Sequence, residues 1–130
     1  EVIEKRIKNH PYAGCACRFT VDDICESKIE SNFRDYVVMG ELIEHLEEPQ
    51  KAIKEAFRIL KPNGILALST PLEETEAGEF DKDRHLYSFS KQDIVDMLSP
   101  YGEVKIKTIG SNYFPYRYHP KVIIAFCKKK

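Results

Sequence analysis

The stretch that decides the fold is DYVVMGELIEHLEEPQKAIKEAFRILKPNGILALSTP, residues 35–71. It opens with a continuous apolar run over 35–39, which is typical of a strand covered on both faces of a sheet. From Pro49 onward apolar residues recur at helical intervals between lysines and glutamates, and the Pro-Asn-Gly tripeptide ending at Gly64 is a helix stop. A second apolar run follows over 65–69. The stretch therefore predicts a buried strand, an amphipathic helix and another buried strand.

The same alternation continues toward the C-terminus. Ser90 is a candidate helix N-cap with Asp93 in the first turn, and alternating residues over 104–109 predict a strand with one solvated face. The last strand is predicted over 122–127. Since the intervening loop, 110–120, is too short for a crossover helix, the last two strands are expected to pair antiparallel.

Toward the N-terminus, residues 17–21 are a short strand candidate, and residues 72–84 form an acidic stretch without a period, predicted to be a loop or lid. Strands thus alternate with helices along most of the chain. This order predicts an α/β fold with a mainly parallel sheet, in a single domain over 1–130.

Composition limits the function classes. Apolar residues make up 42% of the 130 residues and charged residues 32%, the profile of a soluble globular protein. A formal net charge of −1 argues against broad non-specific binding to nucleic acid, and no apolar run approaches the length of a membrane span. The four cysteines lack the spacing of a zinc site or a disulfide scaffold. They are therefore expected to be free thiols in a reducing compartment, which favours a cytoplasmic protein.

Several motifs in order carry a resemblance to a known family. An aspartate opens the strand at Asp35, E-x-x-E-H-L follows at 41–46, R-x-L-K-P-x-G at 58–64 and S-T-P at 69–71. Further on, His85 begins an H-x-x-x-F-S motif. The chain resembles class I S-adenosylmethionine-dependent methyltransferases, in particular the UbiG-like members. The resemblance implies a Rossmann-like sheet with helices on both faces and a C-terminal antiparallel pair of strands.

The resemblance also shows what the sequence lacks. The family's glycine-rich cofactor loop, G-x-G-x-G, has no counterpart among the six glycines. The family's sheet order, 3-2-1-4-5-7-6, places its first strand beside the strand matched here by 35–39. One edge of this apolar strand is therefore expected to need a partner, either another chain, a dimer mate, an N-terminal segment or a rearranged strand over 17–21.

The resemblance assigns cofactor contacts to two segments. It places Asp22, Asp23 and Ile24 against the adenine of S-adenosylmethionine, with the alternative that the aspartates merely cap a turn. It places the Met39-Gly40-Glu41 segment beside the methionine part of the cofactor, at the carboxyl end of a strand, where α/β folds bind ligands.

A third group of residues concerns the chemistry itself. Glu41, Glu44 and His45 are spaced to share one face of a helical turn, and some relatives, including small-RNA 2′-O-methyltransferases, use such a motif to hold a divalent metal. Two carboxylates and an imidazole suit Mg²⁺, Mn²⁺ or Zn²⁺, and His85 is a candidate fourth ligand. The alternatives are that His45 acts as a general base without metal, or only packs.

The function that follows is O-directed methyl transfer, with His45 as the candidate catalytic residue and a small molecule or an RNA hydroxyl as acceptor. No membrane partner is expected. The competing hypothesis is a catalytically silent methyltransferase-like module that acts in binding, which the absence of the glycine-rich loop favours for these 130 residues alone.

Overall fold

The computed structural model describes residues 20–72, 85–110 and 121–130. Within them the chain forms four strands, two helices and a short 3₁₀ turn. In chain order these are β1 (Arg34–Gly40), the 3₁₀ turn (Ile43–His45), α1 (Pro49–Ile59), β2 (Leu60–Pro71), α2 (Lys91–Leu98), β3 (Gly102–Ile109) and β4 (Val122–Lys129).

The four strands form one sheet in the order β1-β2-β4-β3. β1 pairs parallel with β2, while β4 lies between β2 and β3 and runs antiparallel to both. Three strands therefore share one direction, as expected for a mainly parallel sheet, and the predicted antiparallel pairing of the last two strands is confirmed. This order also agrees with the 4-5-7-6 part of the family's sheet.

The Pro-Asn-Gly tripeptide lies beyond the end of the helix that it is predicted to stop. α1 already ends at Ile59, and β2 begins at Leu60, before the tripeptide. The pairing of β1 with β2 jumps from Arg34–Leu60 to Tyr36–Ile65, so the tripeptide occupies an irregularity in the strand. Asn63 has a φ of 65° there, a left-handed conformation that asparagine tolerates better than most residues. The tripeptide shapes the start of β2 and does not end the helix.

Both described helices cover the same face of the sheet. α1 contributes Ala52, Ile53, Ala56 and Phe57 to the core, α2 contributes Ile94 and Leu98, and alternate residues of the strands meet them. α2 begins with the predicted cap: the Ser90 side chain accepts a hydrogen bond from Asp93 N, and the Asp93 carboxylate accepts one from Ser90 N at 2.8 Å. The Ser90 hydroxyl also donates to the Asp93 carboxylate at 2.7 Å, and this bond lowers the pKa of Asp93.

β1 is less buried than the sequence predicts. Its predicted cover on both faces is wrong for the described residues, because Tyr36 and Val38 are 70% and 77% exposed while Met39 is buried. The second layer of helices implied by the fold class does not occur within residues 20–72, 85–110 and 121–130. β1 is also the outer strand of the described sheet, so the partner expected along its edge stays a prediction.

Two further expectations concern the N-terminal part and membranes. Of the strand predicted over 17–21, only Thr20 and Val21 are described, and neither belongs to a strand; the rest lies outside the described residues. None of the described helices has the length and apolar character needed to cross a bilayer.

Candidate functional site

Polar side chains gather at the carboxyl ends of the parallel strands β1 and β2. β1 ends at Gly40, Glu41 and Leu42 connect it to the 3₁₀ turn, and Ser69 and Thr70 stand near the end of β2. Ligands of α/β sheets bind at this end of the strands. The 3₁₀ turn therefore lies where a ligand of this sheet would bind.

Glu41, which lies between β1 and the 3₁₀ turn, is fastened to β2. Its backbone N–H donates to the carbonyl oxygen of Ser69 at 3.0 Å and to the Ser69 hydroxyl at 3.2 Å. That hydroxyl in turn donates to Glu41 Oε1 at 2.8 Å. Glu41 adopts a φ of 49°, an unfavourable conformation for a residue with a side chain, and these three bonds hold it there.

Glu44 carries a carboxylate into the protein interior. Its side chain is 2% exposed, and Oε2 accepts a hydrogen bond from the Thr70 hydroxyl at 3.1 Å. Its other oxygen, Oε1, lies 3.8 Å from Nε2 of His45, whose side chain is 44% exposed. A buried carboxylate thus stands behind an imidazole that solvent and ligands can reach.

A second histidine is brought to this pair by the segment that precedes α2. The backbone N–H groups of Leu86 and Tyr87 both donate to the carbonyl oxygen of Glu44, at 2.8 and 3.3 Å. The rings of His45 and His85 consequently meet edge to face, with centroids 4.9 Å apart. Tyr87 adds a hydrogen bond from its hydroxyl to the carbonyl of Glu47 at 3.0 Å.

The cluster Glu44–His45–His85 brings one carboxylate and two imidazoles together. One ligand atom from each residue lies within 4.8 Å of the others. Two ligand atoms bonded to one tetrahedral ion at about 2.1 Å lie about 3.4 Å apart, so the three side chains would have to move closer together to share an ion. Of the four residues predicted as metal ligands, the structure brings these three together, whereas Glu41 is not in the group and bonds Ser69.

The predicted adenine contacts Asp22 and Asp23 lie in the loop before β1. Asp22 Oδ2 accepts hydrogen bonds from the Ser27 hydroxyl at 2.7 Å and from Lys28 N at 3.0 Å. The Ser27 hydroxyl bond is the main reason that the pKa of Asp22 lies below its usual range. Asp23 Oδ1 accepts a bond from Cys25 N at 2.8 Å. Both carboxylates thus close turns of their own loop, as in the capping alternative.

The other cofactor contacts predicted from the resemblance are Ile24 in the same loop and Met39, Gly40 and Glu41 at the end of β1 and just after it. Ile24 is half-buried and packs against the core, and Met39 is 2% exposed, which turns its side chain away from solvent. Gly40 is exposed, and a Cβ placed there would meet only the Ser69 hydroxyl oxygen, at an ordinary 3.7 Å. Neighbouring groups therefore do not require a glycine at position 40, which leaves the surface beside it open to a ligand.

The residue that sequence reasoning missed is Arg58, which ties the loop to α1. Its NH2 donates to the carbonyls of Ser27 and Ile29 at 3.0 and 2.7 Å, and NH1 donates to the Ser31 hydroxyl at 2.9 Å. Nε and NH2 also reach the Glu55 carboxylate, which lowers the pKa of Glu55 and raises that of Arg58. The arginine of the R-x-L-K-P-x-G motif was the available signal, because a guanidinium carries five donors in a fixed fork.

Two segments with candidate roles fall outside the described residues. They are most of the predicted lid, residues 73–84, and most of the loop between the last two strands, residues 111–120, in which Tyr113, Phe114, Tyr116 and Tyr118 are candidates for stacking on a planar substrate or for packing under the loop.

Comparisons with known proteins agree with this architecture. A family model described as a methyltransferase domain matches residues 1–68. The 2-methyl-6-phytyl-1,4-hydroquinone methyltransferase 1 of rice chloroplasts is 32% identical over 85 residues, which are 63% of this chain and 26% of that protein.

Solved structures show the same fold. A SAM-dependent methyltransferase of Thermotoga maritima superposes with a TM-score of 0.67 at 20% identity, covering 82% of this chain and 61% of that one. Phosphoethanolamine N-methyltransferase 2 of Haemonchus contortus, solved with S-adenosyl-L-methionine, gives a TM-score of 0.65 at 16% identity over 83% of this chain and 36% of its own. The chain thus spans about a quarter of the curated relative and less than two thirds of each of these two structures.

Proposed function

The chain belongs to the methyltransferase-domain family, and from that premise we propose that it takes part in S-adenosylmethionine-dependent methyl transfer to a hydroxyl oxygen. The observation that carries the proposal is the cluster Glu44–His45–His85 at the carboxyl ends of β1 and β2. It combines a reachable imidazole with a buried carboxylate at the edge of the sheet where α/β proteins bind their ligands.

His45 is the proposed proton acceptor. A hydroxyl oxygen must lose its proton as it is methylated, and a positioned imidazole is the side chain that most often takes it. The Glu44 carboxylate, 3.8 Å from Nε2, stabilises the imidazolium that results. Thr70 holds that carboxylate through Oε2, which leaves Oε1 directed at the imidazole.

The residues that would touch S-adenosylmethionine are those at the end of β1. When bound, the cofactor supplies an electrophilic methyl group. Gly40 offers an exposed backbone with room beside it, and Glu41 holds the chain in a sharp turn away from that surface. Asp23 and Ile24 stand as candidates for the adenine side. No glycine-rich loop occurs in the 130 residues, so these residues form only part of a pocket.

The acceptor class follows from the cluster and not from the relatives. A hydroxyl on a small molecule or on RNA suits a proton-accepting imidazole. The rice relative is named for a hydroquinone, which carries hydroxyl groups, whereas the Haemonchus protein is named for an amine acceptor. The test must therefore offer both kinds of acceptor.

The cluster also supports a second role for the same residues, that of holding Mg²⁺, Mn²⁺ or Zn²⁺. Glu44, His45 and His85 supply one oxygen and two nitrogens, a donor set that suits Mn²⁺ or Zn²⁺ better than Mg²⁺. A metal here would bind an acceptor hydroxyl and make its proton easier to remove. Electron paramagnetic resonance of Mn²⁺ with the chain tests this directly, because Glu44→Gln should abolish a bound signal that Glu47→Gln leaves intact.

The direct test of methyl transfer uses the protein as it occurs in the cell, called the native protein below. It is incubated with S-adenosylmethionine labelled in its methyl group. A catechol, a hydroquinone, a short RNA and a primary amine serve as acceptors. The proposal expects label on hydroxyl oxygen, with S-adenosylhomocysteine formed in equal amount. Label on the amine alone would contradict the O-directed proposal.

The competing function is a catalytically silent module that binds a partner and does not use the cofactor. This alternative rests on the absence of a glycine-rich loop from the 130 residues. Calorimetry with S-adenosylhomocysteine separates the two. We expect weak or undetectable binding to the 130-residue chain, and binding by the native protein that Gly40→Val abolishes. Micromolar binding to the 130-residue chain would show that the loop is dispensable. Absence of binding by the native protein would favour the silent module.

A further inference from the structure

A groove open to solvent lies between α1 and α2. Its volume is about 570 Å³, which is within the range of pockets that hold small molecules. α1 contributes Ile53 to its lining, α2 contributes Asp93, Asp96 and Met97, and the segments on either side of α2 add aromatic side chains. None of these residues takes part in the proposed methyl transfer, so what the groove binds does not depend on that function.

Two tyrosine rings that line the groove are held in place by other parts of the molecule. Tyr87 is 41% exposed, its ring centroid lies 5.8 Å from that of Phe89, and its hydroxyl donates to the carbonyl of Glu47. Tyr101 lies flat on the buried Phe57, with ring centroids 4.3 Å apart and planes 3° from parallel. Because these contacts fix both rings before any ligand arrives, binding against them loses little conformational entropy.

The charged groups that line the groove are carboxylates. Asp93 and Asp96 lie three residues apart on α2 and so share one face of the helix, and none of the described lining residues is basic. The Ser90 hydroxyl and then its amide hydrogen-bond the Asp93 carboxylate and hold the pKa of Asp93 below its usual range, so it is ionised at neutral pH. Asp96 Oδ1 accepts a hydrogen bond from Gln92 Nε2 at 2.8 Å. The groove therefore carries negative charge beside aromatic rings.

This combination of groups favours an organic cation. The negative face of a tyrosine ring attracts an ammonium group, and the same ring packs against the carbon groups attached to the nitrogen. The half-buried Met97 adds a soft apolar surface that adapts to such groups. A metal ion such as Mg²⁺ or Ca²⁺ is a poorer match, because it requires six or more oxygen ligands and gains nothing from a thioether or an aromatic wall. An anion is disfavoured by the two carboxylates.

We propose that the groove between α1 and α2 binds a small organic cation, with its ammonium group at Asp93 and Asp96 and its apolar body on the tyrosine rings and Met97. The carboxylates select the positive charge, and the rings and the thioether supply contact area. A cavity of this volume accommodates an ammonium group that carries one aromatic ring.

Methionine methyl groups report separately on the groove and on the proposed active site. The 130 residues contain two methionines: Met97 lines the groove, and Met39 is buried at the end of β1, beside the predicted cofactor segment. The native protein is labelled with ¹³C in its methionine methyl groups, and Met97→Leu and Met39→Leu assign the two signals. Benzyltrimethylammonium is the cationic probe, and benzyl alcohol and phenylmethanesulfonate are its neutral and anionic controls.

We expect benzyltrimethylammonium to shift the Met97 signal saturably and to leave the Met39 signal in place. The two control probes should bind at least about tenfold more weakly at low salt, and high salt should narrow the difference. Asp96→Lys should weaken binding of the cation by at least about tenfold, whereas Glu30→Lys, the same change of charge in the exposed loop before β1, should change it by less than about twofold. Asp96→Asn keeps an acceptor for Gln92 and should weaken binding in the same direction.

Four results would overturn the proposal. Equal affinity for the three probes would show that the groove does not select charge. A shift confined to Met39 would place the cation in the proposed active site, and no saturable shift of Met97 at millimolar probe would leave the groove without a cation. Equal effects of Asp96→Lys and Glu30→Lys would attribute the binding to net charge alone.

Discussion

The loop before β1 and the turn after it carry the same kinds of side chain and use them in opposite ways. In the loop, the Asp22 and Asp23 carboxylates accept hydrogen bonds from their own neighbours, and Arg58 fastens the backbone to α1. In the turn, the backbone is fastened by Ser69 and Leu86, which leaves side chains to meet one another. Acidic residues become available for chemistry where other groups hold the chain.

The largest expected effect on stability comes from breaking the attachment of the loop. Arg58→Ala removes donors to two carbonyls, to the Ser31 hydroxyl and to Glu55, and charged hydrogen bonds contribute about 1.5–3 kcal/mol each when buried. The Arg58 side chain is 32% exposed, so we expect a total loss of about 2–3 kcal/mol in urea unfolding.

The exposed Lys54 of the same helix supplies the control, and Lys54→Ala should change the unfolding free energy by less than about 0.5 kcal/mol. Hydrogen exchange should accelerate at Lys28, whose amide bonds Asp22, but not at Leu86, whose amide bonds Glu44. Equal acceleration at both sites would mean that loop and turn are one cooperative unit, which contradicts the comparison.

A smaller effect is expected in the turn. Thr70→Val removes the hydroxyl that donates to the buried Glu44 carboxylate, and leaving a buried acceptor short of a partner costs about 1–3 kcal/mol. Thermal unfolding should show the loss, whereas Thr108→Val on the exposed part of β3 should have almost none. Matching melting temperatures for the two variants would show that Thr70 does not support the turn.

The smallest effect is a change in acid sensitivity in the loop. The pKa of Asp22 is lowered in the folded protein, so its contribution to stability is present above about pH 3.9, the value of the unfolded chain, and is lost as the pH falls through the folded value. Asp22→Asn should therefore flatten the acid limb of a stability–pH curve below about pH 4. Glu30→Gln, an exposed change in the same loop, should leave the limb as steep as in the unchanged protein.

The fold could be predicted from the sequence because its signals are local. Apolar runs, the helical interval after Pro49 and the Ser90 cap each depend on a few neighbouring residues, and all three are confirmed. The two-sided cover of β1 could not be predicted correctly, since apolar residues show that a strand can be buried but not which element is present to cover it.

Some features of the site could likewise be predicted from the sequence, and others could not. The spacing of Glu44 and His45 within one turn predicted that they lie together, whereas His85 was predicted to join them only if the loop of 72–84 folds over the site. Spacing could not show that Glu41 would be drawn to Ser69, a residue 28 positions away. The function of Arg58 was equally hidden, because its partners are carbonyls, which every residue possesses.

The central claim is that the turn performs the chemistry through His45. The measurement that tests it is the rate of methyl transfer to a hydroxyl acceptor by the native protein, by His45→Ala and by Glu47→Gln, each with and without a chelator. We expect His45→Ala to lower the rate by about 10²–10⁴-fold in both conditions, as for loss of a general base, and Glu47→Gln to leave it unchanged. A chelator that lowers the rate of the unaltered protein by as much would transfer the role to a metal held by the cluster. His45→Ala with an undiminished rate would contradict the claim.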